Sequence, residues 1–451
     1  MCLQYLFLGL VLVIGVSGCA IYSKEGTWQE PRYLGSDFKT FIPPRKLSDA
    51  LSHAPQIEDP TGTITLNKAL SLGLMRNPEL TAFSWEVRSA EARFVQAGLL
   101  PNPEIETEVE NFGGTREVKR FKGSETTVQI TQLVELGGKR SKRKHLAQLE
   151  KDLTGLDYEA KRLDVFTEIT TAFWDVRVLQ ERATLTEDLV RLSEQVHHTV
   201  VERVNAGKVP PVEEIQAMLS LTTVRIELEQ IKRELETARK RLAAIWGSSS
   251  PTFEKVSGEL ESIAPIPQLE QIKNLIAQNP EIARWDVEIE KKRATIKLKE
   301  ANAIPDFTIG AGPRYFNETD EMAYVMGLSM PIPIFNRNQG EKLEAQYNLI
   351  KAEEQRRAAE VKILTALGEA YQKVSSAFLS AQSLKDIVLP GANTAFNATQ
   401  EGYREGKFSY LVVLDAQRAL FEIKRQYLNA LAEYHKAKAN IERLIADRLQ
   451  S

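Results

Sequence analysis

Residues 141–211 have the sequence SKRKHLAQLEKDLTGLDYEAKRLDVFTEITTAFWDVRVLQERATLTEDLVRLSEQVHHTVVERVNAGKVPP, and this stretch decides the fold. Apolar or small side chains recur at steps of three or four residues, at Leu149, Leu153, Leu156, Ala160, Leu163, Phe166, Ile169, Phe173, Val176, Leu179 and Ala183. That period is typical of a helix packed along its length. Gly207, Pro210 and Pro211 end it, because glycine adopts the left-handed conformation and proline cannot continue a helix. The sequence predicts a helix roughly 90–100 Å long, a tight turn and a helix returning to Trp246.

Composition excludes several classes of function. The chain has 451 residues, of which 26% are charged and 43% hydrophobic, with a formal net charge of −3. These values are ordinary for a folded protein and give no indication of a nucleic-acid partner. The sequence contains no phosphate-binding glycine loop, no nucleophile motif and no Cys/His cluster, so we expect neither an enzyme nor a cofactor or metal site.

The N-terminus predicts export. Residues 1–18 have the apolar run of a signal peptide, which is too short to span a bilayer comfortably. The segment Val16-Ser17-Gly18-Cys19 resembles a bacterial lipoprotein processing site, which predicts an acylated Cys19. The alternative is a plain secretory signal with a chance cysteine. Residues 19–60, rich in proline and without periodicity, are predicted to form an extended, lipidated arm.

The rest of the chain is a tandem duplication. Asn77-Pro78-Glu79 recurs as Asn279-Pro280-Glu281, and the turn Asn205–Lys208 recurs as Arg404–Lys407. Each copy is predicted to contain a helix, a strand pair and a long helical hairpin. The predicted bounds are 61–247 for the first copy (strand pair 104–134, hairpin tip 205–211), 248–268 for a linker, and 269–451 for the second copy (strand pair 306–333, tip 404–409).

The strand pairs carry the strongest chemical hint. Glutamates alternate strictly with Ile105, Thr107 and Val109, which places one set on each face of a strand; the glutamates are Glu104, Glu106, Glu108 and Glu110. The strands are long enough to cross a bilayer at a tilt, but four strands cannot close a barrel. Either several chains share one barrel, with the glutamates facing the lumen, or the pairs are soluble hairpins packed on helices.

The duplicated layout, with Leu136–Arg140 in one copy and Pro331–Gly340 in the other, resembles the TolC-type outer-membrane efflux proteins, in particular their heavy-metal (cobalt–zinc–cadmium) branch. The resemblance implies a mainly α fold with a small β part. It also implies a long barrel of α-helical hairpins, and four strands per chain in a trimeric, twelve-stranded transmembrane β-barrel. The implied location is the outer membrane, with a lipid anchor and a long periplasmic tunnel.

The resemblance also implies partners and a function. The partners would be two further copies in a homotrimer, outer-membrane lipid, a periplasmic adaptor (membrane fusion) protein and an inner-membrane pump of the RND type. The function would be a passive conduit to the exterior for heavy-metal cations. One alternative is a channel for drug or peptide export, and an alternative of another class is a periplasmic helical scaffold or adaptor lipoprotein without a pore.

Candidate site residues follow from the same resemblance. Asp415, Tyr403 and Glu213 match positions near the narrow periplasmic mouth and are predicted to form a gate. The predicted adaptor contacts are the hairpin tips, at Gly207, Lys208, Gly406 and Lys407. Two positions depart from the pattern, since a second acidic residue of some members is Val412 here and a basic partner is Phe408.

Overall fold

The structure, a computed structural model, describes residues 34–44 and 59–449. The predicted signal peptide, Cys19 and most of the predicted arm lie outside the described residues. Within the arm, Leu34 is fully buried. Its backbone N donates to the Ala446 carbonyl at 3.0 Å, and its carbonyl accepts from Arg162 Nη1 at 2.7 Å. The arm is therefore packed into the fold at Leu34.

The described elements fall into two halves with the same order. The first half contains, in chain order, β1 (Gly62–Thr65), α1 (Leu66–Arg76), α2 (Pro78–Ala97), β2 (Glu104–Glu110), β3 (Glu125–Val134), α3 (Lys139–Asn205) and α4 (Pro211–Ile245). The second contains β4 (Phe253–Ser257), α5 (Leu269–Lys273), α6 (Pro280–Asn302), β5 (Phe307–Phe316), β6 (Glu321–Ser329), α7 (Gln339–Ser383), α8 (Leu389–Arg404) and α9 (Tyr410–Ile445).

Helix α3 is the centre of the packing. It has 67 residues, about 100 Å of helix, and contacts α1, α2, α4, α6 and α9. The predicted stripe is its buried face, since Ile169, Phe173 and Val176 are fully buried. The corresponding helix of the second half is interrupted by a π turn at Leu384–Val388, which joins α7 to α8. None of the helices in the described ranges combines the length and the apolar composition that a bilayer-spanning helix needs.

Two sheets join the halves. Strands β1 and β4 pair in parallel. Strands β2, β3, β5 and β6 form an antiparallel sheet in the order β2-β3-β5-β6, so β2 and β6 are its edges. Both hairpin loops, residues 111–124 and 317–320, lie at the end of this sheet opposite to the helices.

The four-stranded sheet has one mainly polar and one mainly apolar face. The register places on the polar face Glu104, Glu106, Glu108, Glu110, Glu125, Thr127, Gln129, Thr131, Gly310, Gly312 and Arg314. On the apolar face it places Ile105, Val109, Val128, Ile130, Ile309, Tyr315, Met322, Tyr324, Met326 and Leu328. These apolar side chains are exposed, up to 87% for Met326. Such an exposed apolar surface requires a non-aqueous or protein neighbour.

One predicted boundary is wrong. The strand pair of the second copy was placed at 306–333, but β6 ends at Ser329. Pro331 and Pro333 have no backbone N–H to donate to a ladder, which explains why the strand stops there.

A buried asparagine closes each half in the same way. The Asn77 side-chain oxygen accepts from the Leu80 backbone N at 2.8 Å and so caps α2, while its Nδ2 donates to the Ile245 carbonyl at 2.7 Å. In the second half Asn279 caps α6 and donates to the Leu444 carbonyl at 2.8 Å. Each asparagine therefore ties the start of one helix to the last turn of the returning helix.

Replacing these asparagines should destabilise the fold. We expect Asn77→Ala and Asn279→Ala each to lower the free energy of unfolding by about 1–3 kcal/mol, because each removes a cap and leaves a buried carbonyl unpaired. Asn77→Asp keeps the cap but loses the Nδ2 donor, so we expect a smaller loss. The midpoint of thermal unfolding of the purified protein measures this, with exposed Asn429→Ala as control. Equal midpoints for Asn77→Ala and the control would contradict it.

Candidate functional site

The two hairpin tips are built by the same turn. In the first, Gly207 has φ +69° and the Lys208 backbone N donates to the Arg203 carbonyl at 2.9 Å. In the second, Gly406 has φ +81° and the Lys407 N donates to the Gly402 carbonyl at 2.7 Å. This is the Schellman pattern, in which a left-handed glycine ends a helix and the last carbonyls are satisfied. The four predicted adaptor-contact residues are all exposed on these turns.

The tips pack against each other through a shared apolar cluster. Its buried members come from both hairpins: Val196, Val200, Ala217, Phe396, Tyr403, Tyr410, Val413, Leu414 and Leu420. Tyr403 and Tyr410 lie side by side, with ring centroids 6.3 Å apart. The Gln417 amide donates to Ser193 Oγ at 3.1 Å and adds a buried polar link between α9 and α3. The first hairpin therefore holds the second close to the tip.

Arg203 is the principal polar link between the two tips. Its Nη1 donates to the Tyr403 carbonyl at 2.6 Å, and its guanidinium carbon lies 4.3 Å from the centroid of the Tyr403 ring. The arginine thus combines a charge-assisted hydrogen bond with a cation–π contact. Sequence reasoning looked for a basic partner after the second tip and missed Arg203. A signal was present, since Arg203 is the basic residue of the last turn of α3, where the helix dipole favours it.

Glu213, a partly buried residue of α4, lies close enough to Tyr403 to act on its hydroxyl. Burial raises the pKa of Tyr403, Arg203 lowers it and Glu213 raises it. The phenol is therefore neutral near pH 7. Among the described residues, neither the Tyr403 hydroxyl nor Glu213 Oε2 has a partner in hydrogen-bond geometry, although both atoms are buried.

Asp415 lies on another surface. It is exposed, between buried Leu414 and Gln417, and makes no ion pair within the described ranges. Leu411 and Val412 beside it are 52% and 40% exposed. The structure therefore brings Tyr403 and Glu213 together and leaves Asp415 on a solvent-facing strip of α9.

Phe408 replaces the expected basic residue with a packing contact. Its ring covers Gly402, where an added Cβ would lie 2.3 Å from the Phe408 ring. Gly402 is therefore required for this contact. Lys407 forms an ion pair with Glu405 on the same turn. Lys208 on the first tip makes no ion pair with any described residue.

The polar face of the sheet has charges of both signs. Arg314 lies 3.0 Å from Glu110 and 3.0 Å from Glu125, and its Nε donates to Thr127 Oγ1 at 2.8 Å. It bridges three strands close to the loop end of the sheet. Glu104, Glu106 and Glu108, nearer the helices, make no ion pair within the described ranges. Sequence reasoning found the glutamates and missed Arg314, because the register between the two copies was not available to it.

The described residues contain no cluster of His, Cys, Asp or Glu positioned to hold a metal ion. The carboxylates of Glu104, Glu106 and Glu108 alternate along one strand, and Glu106 Oε2 accepts from Gln129 Nε2 of the next strand at 2.8 Å.

Removing Arg203 should loosen the tips. We expect Arg203→Ala to increase hydrogen exchange in residues 196–217 and 396–420. The free energy of local opening should fall by about 2 kcal/mol, because a charge-assisted hydrogen bond and a cation–π contact disappear together. Tyr403→Phe is the matched control, since it keeps both the carbonyl and the aromatic ring that Arg203 contacts. Exchange in Tyr403→Phe should match the parent protein. Faster exchange in both variants, or in neither, would contradict this assignment.

Comparison with known proteins identifies the family. The outer membrane efflux protein family matches this chain over residues 69–248 and again over 271–447, which confirms the predicted tandem repeat. The cobalt-zinc-cadmium resistance protein CzcC of Cupriavidus metallidurans is 34% identical over 384 residues, covering 85% of this chain and 90% of the relative. The nickel and cobalt resistance protein CnrC of the same organism is 28% identical, covering 68% and 70%.

A solved structure shares the fold. The outer membrane protein VceC of Vibrio cholerae superposes with a TM-score of 0.70 at 17% sequence identity, over 85% of this chain and 97% of that one. The predicted fold class, helical hairpins with four strands per chain, is therefore confirmed. The two family matches together span most of the chain, and one relative is above 30% identity along nearly its whole length. This chain therefore belongs to the outer membrane efflux protein family.

Proposed function

We propose that three copies of this chain form the outer-membrane channel of a tripartite efflux system that carries heavy-metal cations to the exterior. The observation that carries the proposal is the four-stranded sheet, which is polar on one face, apolar and exposed on the other, and unpaired at both edges. Unpaired backbone groups are not tolerated in lipid. Strand β6 of one copy would therefore pair with β2 of the next, and the antiparallel alternation continues around a closed wall.

The helices support the same assembly. Helix α7 exposes an apolar stripe formed by Leu343, Tyr347, Ile350, Val361 and Leu364, with 45–64% of each side chain accessible. The steps between these residues are four, three, eleven and three, which keeps them on one face of the helix, and such a stripe is typical of a helix packed against another helix. In the proposed trimer a neighbouring copy covers it, and the hairpins extend the strand wall into a periplasmic tunnel. Acylation at Cys19 would add a lipid anchor.

The partners belong to the same proposal. A periplasmic adaptor would contact the exposed tips at Gly207, Lys208, Gly406 and Lys407, and an inner-membrane RND pump would supply the energy. The conduit itself is passive. The substrate class rests on the relatives, whose names record resistance to cobalt, zinc, cadmium and nickel, and on the unpaired glutamates Glu104, Glu106 and Glu108, which would make an acidic lumen.

The mouth of the channel is proposed to be gated at the tips. Arg203, Tyr403 and Glu213 hold the second hairpin against the first, so opening would shear one packed hairpin past the other rather than refold it. Asp415 makes no ion pair among the described residues, and we propose that its partner lies on a neighbouring copy. A shear that breaks both contacts would widen the mouth.

Asp415→Ala should favour the open mouth. We expect single-channel conductance in a planar bilayer to rise about twofold or more, since losing a contact worth about 1 kcal/mol in each copy shifts the closed–open balance. Asp386→Ala, an exposed aspartate of the π turn, is the control and should behave as the parent protein. If Asp415→Ala leaves conductance and metal tolerance unchanged, Asp415 is not part of a gate.

Ion selectivity should respond with opposite signs to two sets of variants. Glu104→Gln, Glu106→Gln and Glu108→Gln together should reduce the cation-to-anion permeability ratio about threefold or more, because the lumen loses its unpaired negative charge. Arg314→Gln should raise the ratio, since it frees Glu110 and Glu125. Reversal potentials under a salt gradient give both values. Anion preference in the parent channel would refute the acidic lumen.

A further inference from the structure

The loop between β2 and β3, residues 111–124, contains four cationic side chains and one glutamate, Glu117. Arg116, Lys119, Arg120 and Lys122 are exposed, and none forms an ion pair with any residue whose side chain the structure describes. The neighbouring loop, residues 317–320, contains Glu and Asp and no cation. The positive charge is therefore a property of one loop and not of this whole end of the sheet.

The loop has a fixed conformation. The Gly113 backbone N donates to the Arg120 carbonyl at 2.6 Å, and the Gly114 N donates to the Val118 carbonyl at 3.1 Å. The rings of Phe112 and Phe121 stack with centroids 5.9 Å apart and planes 8° from parallel. The cations thus lie on a turn that is closed by hydrogen bonds and ring stacking. Because the backbone is already ordered, the loop loses less conformational entropy when it binds a ligand.

Two of the four cations occupy strained backbone positions. Arg116 has φ +56° and Arg120 has φ +60°, in the left-handed region that glycine and asparagine adopt at lower conformational cost. Glycine or asparagine at these positions would form the same turn at a lower conformational free-energy cost. Strain of this kind concentrates where a side chain has a role, which here points to the two guanidinium groups.

The position of the loop defines its surroundings. It extends from the end of the sheet where the exposed apolar face, including Ile105 and Val109, stops. Phe112 and Phe121 are 57% and 61% exposed at the same level. Aromatic rings and basic side chains at the end of an apolar band are typical of a bilayer's headgroup region.

We propose that this loop binds the phosphate groups of a phosphorylated glycolipid in the outer leaflet of the outer membrane. The guanidinium groups of Arg116 and Arg120 would form bidentate hydrogen bonds with phosphate oxygens, and Lys119 and Lys122 would add point charges. The stacked phenyl rings would lie against the acyl–sugar boundary. The proposal rests on the outer-membrane placement of the sheet proposed above.

Native mass spectrometry of the detergent-solubilised protein tests it, with diphosphorylated lipid A and its dephosphorylated form as probes. The parent protein should bind the diphosphorylated lipid about tenfold or more tightly than the dephosphorylated one. A variant with Arg116→Gln, Lys119→Gln, Arg120→Gln and Lys122→Gln should lose this preference. The control replaces four other exposed lysines that lack ion pairs among the described residues, Lys255, Lys297, Lys351 and Lys362, with glutamine and should keep it.

Three results would overturn the proposal: equal binding of the two lipids by the parent protein, an unchanged preference in the loop variant, or displacement of the lipid by excess inorganic phosphate, which would indicate a free-phosphate site. Loss of assembly in the loop variant would instead assign the loop to a contact between copies and would also overturn it. Single-channel conductance of the same variant separates this proposal from the channel itself. If the loop variant conducts normally but has lost the lipid preference, the channel proposal and the lipid proposal are both supported. If the parent protein itself does not conduct, only the channel proposal is refuted.

Discussion

Two unpaired strand edges constrain the whole molecule. Strands β2 and β6 are the edges of the sheet. Its apolar face exposes side chains such as Met326 and Leu328, whose contact with water is unfavourable. In a bilayer, each unpaired backbone group on those edges would cost several kcal/mol. One chain cannot remove the edges, because four strands are too few to close. Assembly is thus a requirement of the fold, and the proposed trimer meets it without changing any strand.

The chain is duplicated around this sheet. Asn77 and Asn279 close the two halves by the same pair of hydrogen bonds, and Gly207 and Gly406 end both descending helices by the same turn. The halves differ where they meet at the tips. Arg203 contributes a cation from one half to Tyr403 of the other. This asymmetric contact joins two otherwise similar hairpins, and the proposed opening of the mouth would break it.

Periodicity made most of this architecture predictable. The three-and-four spacing around Phe173 predicted the long helix, and the alternation from Glu104 to Glu110 predicted a strand with two unlike faces. Contacts between residues far apart in sequence were not predictable. Arg314 was missed, and the role of Arg203 with it, because the partners of both residues lie in the other half of the chain. The β6 boundary was wrong because an alternating apolar pattern continued through prolines that cannot pair.

Cysteine cross-linking between the sheet edges tests the central claim most directly. Single cysteines placed at successive positions of β2 and β6 should, in at least one pair, form a disulfide between different chains in isolated outer membranes. Denaturing gels should then show covalent species of two and three chains, and the parent protein, treated identically, should show none. Exclusively monomeric protein for every pair, or a disulfide formed only within one chain, would contradict a wall shared by three copies.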